Sequence, residues 1–170
     1  MSRYRPPRSA GTPLITAEGA QRLRDELHQL WQVKRPAVTQ AVSEAAALGD
    51  RSENAEYIYG KKMLREIDSR VRFLRKRLEN LKVIVDQPGD CSRVFFSAWV
   101  SLEDEDGQTL DLRIVGPDEI DTQHRHISID SPMARALLGK SLNDEISLQA
   151  PAGEKRYWIT AINYNGPVTY

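Results

Sequence analysis

Cysteine is almost missing from this chain: Cys91 stands alone among 170 residues. That excludes an internal disulfide framework and any zinc site built on several thiolates. Long apolar runs are missing too. Nothing approaches the roughly 18 apolar residues that a membrane-spanning helix needs. The opening stretch "MSRYRPPRSAGTP" is basic and proline-rich but lacks the apolar centre of a signal peptide. Residues 1–12 are therefore expected to form a disordered tail, and a cytoplasmic location with no membrane partner is expected. Histidine is scarce as well. His28, His124 and His126 form no pairing of nucleophile with base, so each reads as a surface or structural residue. There are no internal repeats.

Net charge is also absent, at a formal +0, but the balance is uneven along the chain. Residues 1–85 carry 17 Lys/Arg against 10 Asp/Glu, and residues 86–170 carry 7 against 14. A basic half suits a polyanion such as nucleic acid, whereas the acidic half suits a protein surface.

What is present divides by period. From Thr16 to Val85 the pattern is helical. Thr16 in "TAEG" is a candidate N-cap, although Gly19 stands where a Glu or Gln would complete a capping box. Leu64, Ile67, Val71, Leu74, Leu78 and Leu81 make a coiled-coil seam. Ala20, Leu23, Leu27, Leu30, Lys34, Ala37 and Ala41 make a looser one. Folding the chain back at Gly49 pairs Ala20 with Leu81, Leu23 with Leu78, Leu27 with Leu74, Leu30 with Val71, Lys34 with Ile67, Ala37 with Leu64 and Ala41 with Gly60. The expected result is an antiparallel two-helix coiled coil over residues 13–85, with its tip at 49–53 and arms roughly 45 Å long. Small residues near the tip (Ala37, Ala41, Ala45, Gly60) allow close approach of the helices. Pro36 should kink or split the first arm.

After a linker at 86–90 the period becomes that of strands. "RVFFSAWVSL", "TLDLRIVG", "HISI", "EISLQA" and "RYWITAI" are short runs between turn signals. "SPMARALLGK" has the marks of one short helix, with Ser131 as N-cap, Pro132 first in the helix and Gly139 as its stop. Residues 91–170 are thus expected to form a small α+β domain, with Phe96, Trp99 and Trp158 in or beside its core.

Two carboxylates, Asp50 and Glu53, sit at the turn in "LGDRSENAEY". They admit two readings. Asp-x-x-Glu is a capping-box pattern at a helix start. Alternatively, stepping the second seam backwards through Gly60 and Tyr57 reaches Glu53 and Asp50, so the acids converge at the apex. Paired carboxylates suit Mg²⁺, but two are too few for a tight site and a helix N-terminus opposes a cation. Such a tip would hold metal only where a partner supplies further ligands. On the second arm, Lys61, Arg65, Arg72 and Lys76 recur on one face flanked by Lys62 and Arg75. That face is either simply solvated or able to carry a phosphodiester strand.

"GDRSENAEYIYGKKMLREIDSRVRFL", "VFFSAW" and "ISIDSPMARALLGK" together resemble the Gre transcript-cleavage (transcription elongation) factors of bacteria, and within that family the GreB type. The resemblance implies an FKBP-like C-terminal domain gripping the rim of the RNA polymerase secondary channel, with the coiled coil inserted and its tip at the catalytic centre. It implies a monomeric accessory factor rather than an enzyme, stimulating the polymerase's own Mg²⁺-dependent cleavage of the backtracked RNA 3′ end. By the same resemblance, Asp50 and Glu53 hold a Mg²⁺ shared with the polymerase, one the isolated protein does not bind tightly. Asn54 and Tyr57 would orient RNA or water; Lys61, Lys62, Arg65, Arg72, Arg75 and Lys76 would contact RNA; Asp130, Ser131 and Pro132 would meet the polymerase. Gly60 and Asn143 depart from the family pattern. Three other readings remain: a secondary-channel regulator that inhibits without cleavage, a coiled-coil RNA-binding protein unrelated to polymerase, and a prolyl isomerase or chaperone. The last rests on fold alone, which does not carry activity.

Overall fold

A computed structural model describes residues 11–49, 53–150 and 153–167. Most of the expected tail, and Asp50, lie outside the described residues. The chain divides into two units, Ala20–Leu81 and the remainder.

The helical unit follows from the seams. Its first arm comprises α1 (Ala17–His28), a π-helical segment Gln29–Lys34, and α2 (Arg35–Ala47). Its second arm is one unbroken helix, α3 (Ala55–Asn80), about 39 Å long at the standard rise. On α3 the expected stripe is in place: Ile67, Val71 and Leu74 are buried, and Leu64 and Leu78 are half-buried. Ion pairs join the arms, among them Arg35 to Asp68 at 2.7 Å and a two-pronged Arg70–Glu26 pair at 2.7 and 2.8 Å. The Arg70 guanidinium holds the Glu26 carboxyl below its usual range.

The first arm departs from its expected seam, and Pro36 accounts for the departure. Proline lacks an N–H, and its ring collides with the carbonyl four residues back. A wider turn immediately upstream relieves that collision, and here the Arg35 N–H donates to the Leu30 carbonyl, five residues earlier. One additional residue in the turn rotates the following helix by about 100°. Lys34, Ala37 and Ala41 are consequently exposed; Val38 and Val42 are half-buried in their place, and Ala45 is buried. Burial therefore shifts from Lys34, Ala37 and Ala41, which line the grooves beside α3, to Val38, Val42 and Ala45. The one polar interruption of the expected seam is exposed rather than buried.

The second unit is the α+β domain. A five-stranded mixed sheet has the order β5-β4-β3-β7-β6, formed by β3 (Trp99–Asp104), β4 (Thr109–Val115), β5 (His126–Ser128), β6 (Glu145–Ala150) and β7 (Gly153–Asn163). All pairs are antiparallel except β4–β5. α4 (Pro132–Leu137) begins on the Ser131 cap, whose hydroxyl accepts from Ala134 N–H at 3.2 Å. Ala134 and Leu137 join Val100, Leu102, Ile114, Ile146 and Ile159 in the core. Phe96, Trp99 and Trp158 flank it, half-buried. The first expected strand starts at Trp99 rather than Arg93, because Ser97 adopts φ 72° and turns the chain.

The hairpin boundary at 13–85 also shifts. Leu14–Thr16 (β1) pairs in parallel with Lys82–Ile84 (β2), and both cluster with the sheet unit. Ile15 is fully buried there. A pairing of this kind is too short to stand out in sequence, since three-residue strands carry almost no period.

Candidate functional site

The tip of the hairpin is built by helix endings. α2 runs out at Leu48, whose N–H falls back on the Ala45 carbonyl at 3.2 Å. Gly49 follows with φ +129°, a conformation that side-chain-bearing residues resist. The second helix starts later than a cap at Asp50 would require. Its N-cap is Asn54, whose Oδ1 accepts from Tyr57 N–H at 3.0 Å. The capping-box reading of Asp50 and Glu53 is therefore not what begins α3. Nor does a helical stripe run back from Tyr57 to Glu53, because helical geometry stops at Asn54. Glu53 instead sits in the turn, exposed. Its carboxylate is presented by the loop between the arms, while Asp50 lies outside the described residues.

Asn54 was expected to orient RNA or water, yet its amide is committed to the backbone. Besides capping α3, its Nδ2 donates to the Ala45 carbonyl at 2.9 Å. Tyr57 is half-buried on the inner stripe. Just behind them the arms come close at Gly60, where an added Cβ would lie 2.4 Å from Val42 Cγ2. The glycine that departs from the family pattern thus leaves room for Val42 of the other arm. Its cost in helix propensity, about 1 kcal/mol, is offset by packing.

The six basic candidates, Lys61, Lys62, Arg65, Arg72, Arg75 and Lys76, are all exposed along α3. Sequence reasoning passed over Trp31, which the structure sets between two of the unit's arginines. The Arg75 guanidinium lies 4.5 Å and that of Arg35 5.1 Å from its ring, within cation–π range. Trp31 sits in the π-helical segment.

The remaining candidates lie in the α+β domain. Asp130 accepts from both the N–H (2.8 Å) and the hydroxyl of Thr12. Ser131 caps α4, and Pro132 is exposed at its first position. Asp130 therefore tethers the start of the described chain beside the helix that Ser131 and Pro132 open.

Among the described residues no group of three or more His, Cys, Asp or Glu side chains is arranged to hold a metal ion. No described helix is long and apolar enough to cross a membrane. An exposed Glu53 on a turn fits a hard divalent cation only as part of a larger oxygen set.

These features coincide with known proteins. A family model for the N-terminal domain of GreA/GreB transcription elongation factors matches residues 13–83, and one for the GreA/GreB C-terminal domain matches residues 89–164. Transcription elongation factor GreB of Pseudomonas aeruginosa is 72% identical over 164 residues, covering 96% of this chain and 98% of that protein. GreB of Yersinia pestis is 61% identical over 150 residues, 88% of each. GreB of Pseudomonas putida is 53% identical over 158 residues, 93% of this chain and 98% of the relative. With both domains matched and identity of 53–72% over most of its length, this chain belongs to the GreA/GreB family of transcription elongation factors.

Proposed function

We propose that the hairpin enters the RNA polymerase secondary channel and that its tip carboxylates assist the polymerase's cleavage of a backtracked RNA 3′ end. The observation that carries this reading is the placement of Glu53. It is exposed on the turn between two closely packed arms, where a second protein's active site can receive it.

Phosphodiester hydrolysis joins a water oxygen to phosphorus and breaks the bond to the leaving oxygen, which takes up a proton. In a two-metal site, one ion steadies the attacking oxygen and the other the leaving oxygen. Asp50 and Glu53 would contribute carboxylate oxygens toward such an ion shared with the polymerase. The exposed lysines and arginines of α3 would hold extruded RNA mainly through its phosphates, in a sequence-independent and salt-sensitive way. Asp130, Ser131 and Pro132 would contribute to docking through the α+β domain. The factor is accessory in this scheme, and its isolated form should not cut RNA.

The test is a stalled, backtracked elongation complex, with Asp50→Asn and Glu53→Gln combined in the factor. Polymerase binding should persist while RNA release falls by orders of magnitude. Unchanged release would remove the carboxylates from the mechanism. Inhibition of synthesis by the native factor, with no release at all, would make it a channel-blocking regulator instead.

A further inference from the structure

We propose that Asn54 is a positioning residue for the tip, a single side chain that caps both helices and thereby sets the turn from which Glu53 is presented. The inference rests on the proposed cleavage function, and it changes the role of Asn54 from contacting RNA or water to holding protein backbone.

The bonding pattern leaves little freedom. The amide's Oδ1 accepts from Tyr57 N–H at 3.0 Å and its Nδ2 donates to Ala45 O at 2.9 Å. Both partners are backbone groups with fixed roles, one a donor and one an acceptor. The amide orientation is thereby determined, which it rarely is for an asparagine judged alone. Each end of a helix leaves four backbone groups without an intrahelical partner. Tyr57 N–H is one of these at the start of α3, and Ala45 O serves the last turn of α2. Asn54 accepts the orphan N–H of α3 and adds a second bond to the Ala45 carbonyl, which already receives Leu48 N–H.

Alternative N-caps cannot do this. Serine, threonine and aspartate accept from a helix N-terminus as well as asparagine does. None of them also offers an amide hydrogen of the right reach to the opposite arm. Ala45 is buried at 3% exposure, and its carbonyl also receives Leu48 N–H at 3.2 Å. The bond therefore anchors Asn54 to a fixed point of α2, three residues before the helix's last carbonyl-bearing cap. Glu53 is the residue immediately before this anchor. Its backbone direction is constrained on the C-terminal side by the clamp. A carboxylate that must share a weakly held ion depends strongly on such support, because removing groups that orient metal ligands commonly costs about 10–100-fold.

Asn54→Ser separates the two roles, keeping an N-cap and removing the link to Ala45. Asn54→Ala removes both. Four measurements are made on the full-length protein: thermal unfolding, affinity for polymerase, amide exchange at Gly49 and Glu53, and cleavage in a backtracked complex across a Mg²⁺ titration. For Asn54→Ser the expected result is near-native unfolding and polymerase affinity, faster exchange at Gly49 and Glu53, and cleavage reduced about tenfold at limiting Mg²⁺. High Mg²⁺ should recover part of that loss. Native cleavage and Mg²⁺ dependence in Asn54→Ser would overturn the proposal, as would a loss that merely tracks lost polymerase binding or folding. If the native factor itself stimulates no cleavage, the functional reading fails and the cleavage role of Asn54 falls with it. The exchange data then judge the clamp alone, and unchanged exchange in Asn54→Ser overturns that as well.

Discussion

Glu119 Oε2 lies 2.9 Å from the backbone nitrogen of Thr16 and accepts its N–H across 103 residues of chain. In a capping box this bond is made by the third residue of the helix itself. Here that residue is Gly19, and an added Cβ at Gly19 would sit 2.1 Å from Glu119 Oε1. The absent side chain makes room for a carboxylate arriving from between β4 and β5. Thr16 keeps its own half of the motif by accepting from Gly19 N–H at 3.0 Å. Glu119 is buried at 4% exposure, and it also accepts from the Thr16 hydroxyl and from Gly116 N–H at 3.0 Å.

Restoring the local motif should therefore harm the protein. Gly19→Glu is expected to displace Glu119 and destabilise the fold, although it completes the sequence signature. Glu119→Ala leaves two buried N–H groups without their acceptor and should cost about 3 kcal/mol. Urea unfolding followed by tryptophan fluorescence reads both, and native stability in Gly19→Glu would contradict the argument.

The shifted seam of the first arm makes an equally direct forecast. Lys34→Leu should change stability by less than about 0.5 kcal/mol, since the side chain is exposed. Gly60→Ala should destabilise despite alanine's better helix propensity, because its methyl group meets Val42. Adding Val42→Ala should then recover stability in a double-mutant cycle. A strong gain from Lys34→Leu would return the seam to Lys34, Ala37 and Ala41.

Docking offers a third case. If Asp130 touches polymerase directly, Thr12→Val should leave binding intact. If it acts by tethering residue 12, both Thr12→Val and Asp130→Asn should weaken polymerase affinity, the first by a few-fold. The paired hydrogen bonds to Thr12 favour the second pattern, and titration of labelled factor into polymerase distinguishes them.

Periodicity was enough to read the two-helix hairpin and the strands of the five-stranded sheet, cap signals were enough to read α4, and the turn near Gly49 followed from one residue type. Those features depend on patterns local to each segment: a 3.6-residue or 2-residue repeat and the conformational freedom of glycine. The candidate basic residues were equally visible, because exposure on a helix follows from the position of its buried stripe.

Other features required the folded chain. A spacing of three and four cannot reveal the π turn ahead of Pro36, so Val38 and Val42 went unnoticed and Trp31 received no role. The Asp-x-x-Glu pair looked like a cap, but the helix began at Asn54, whose second bond reaches the other arm. Glu119 completes a motif begun 103 residues earlier. Sequence alone determined what each segment prefers, since that preference is written in near-neighbour sterics and burial. Tertiary structure decided which polar groups satisfy one another, because a hydrogen bond depends on distance in space and is indifferent to separation along the chain.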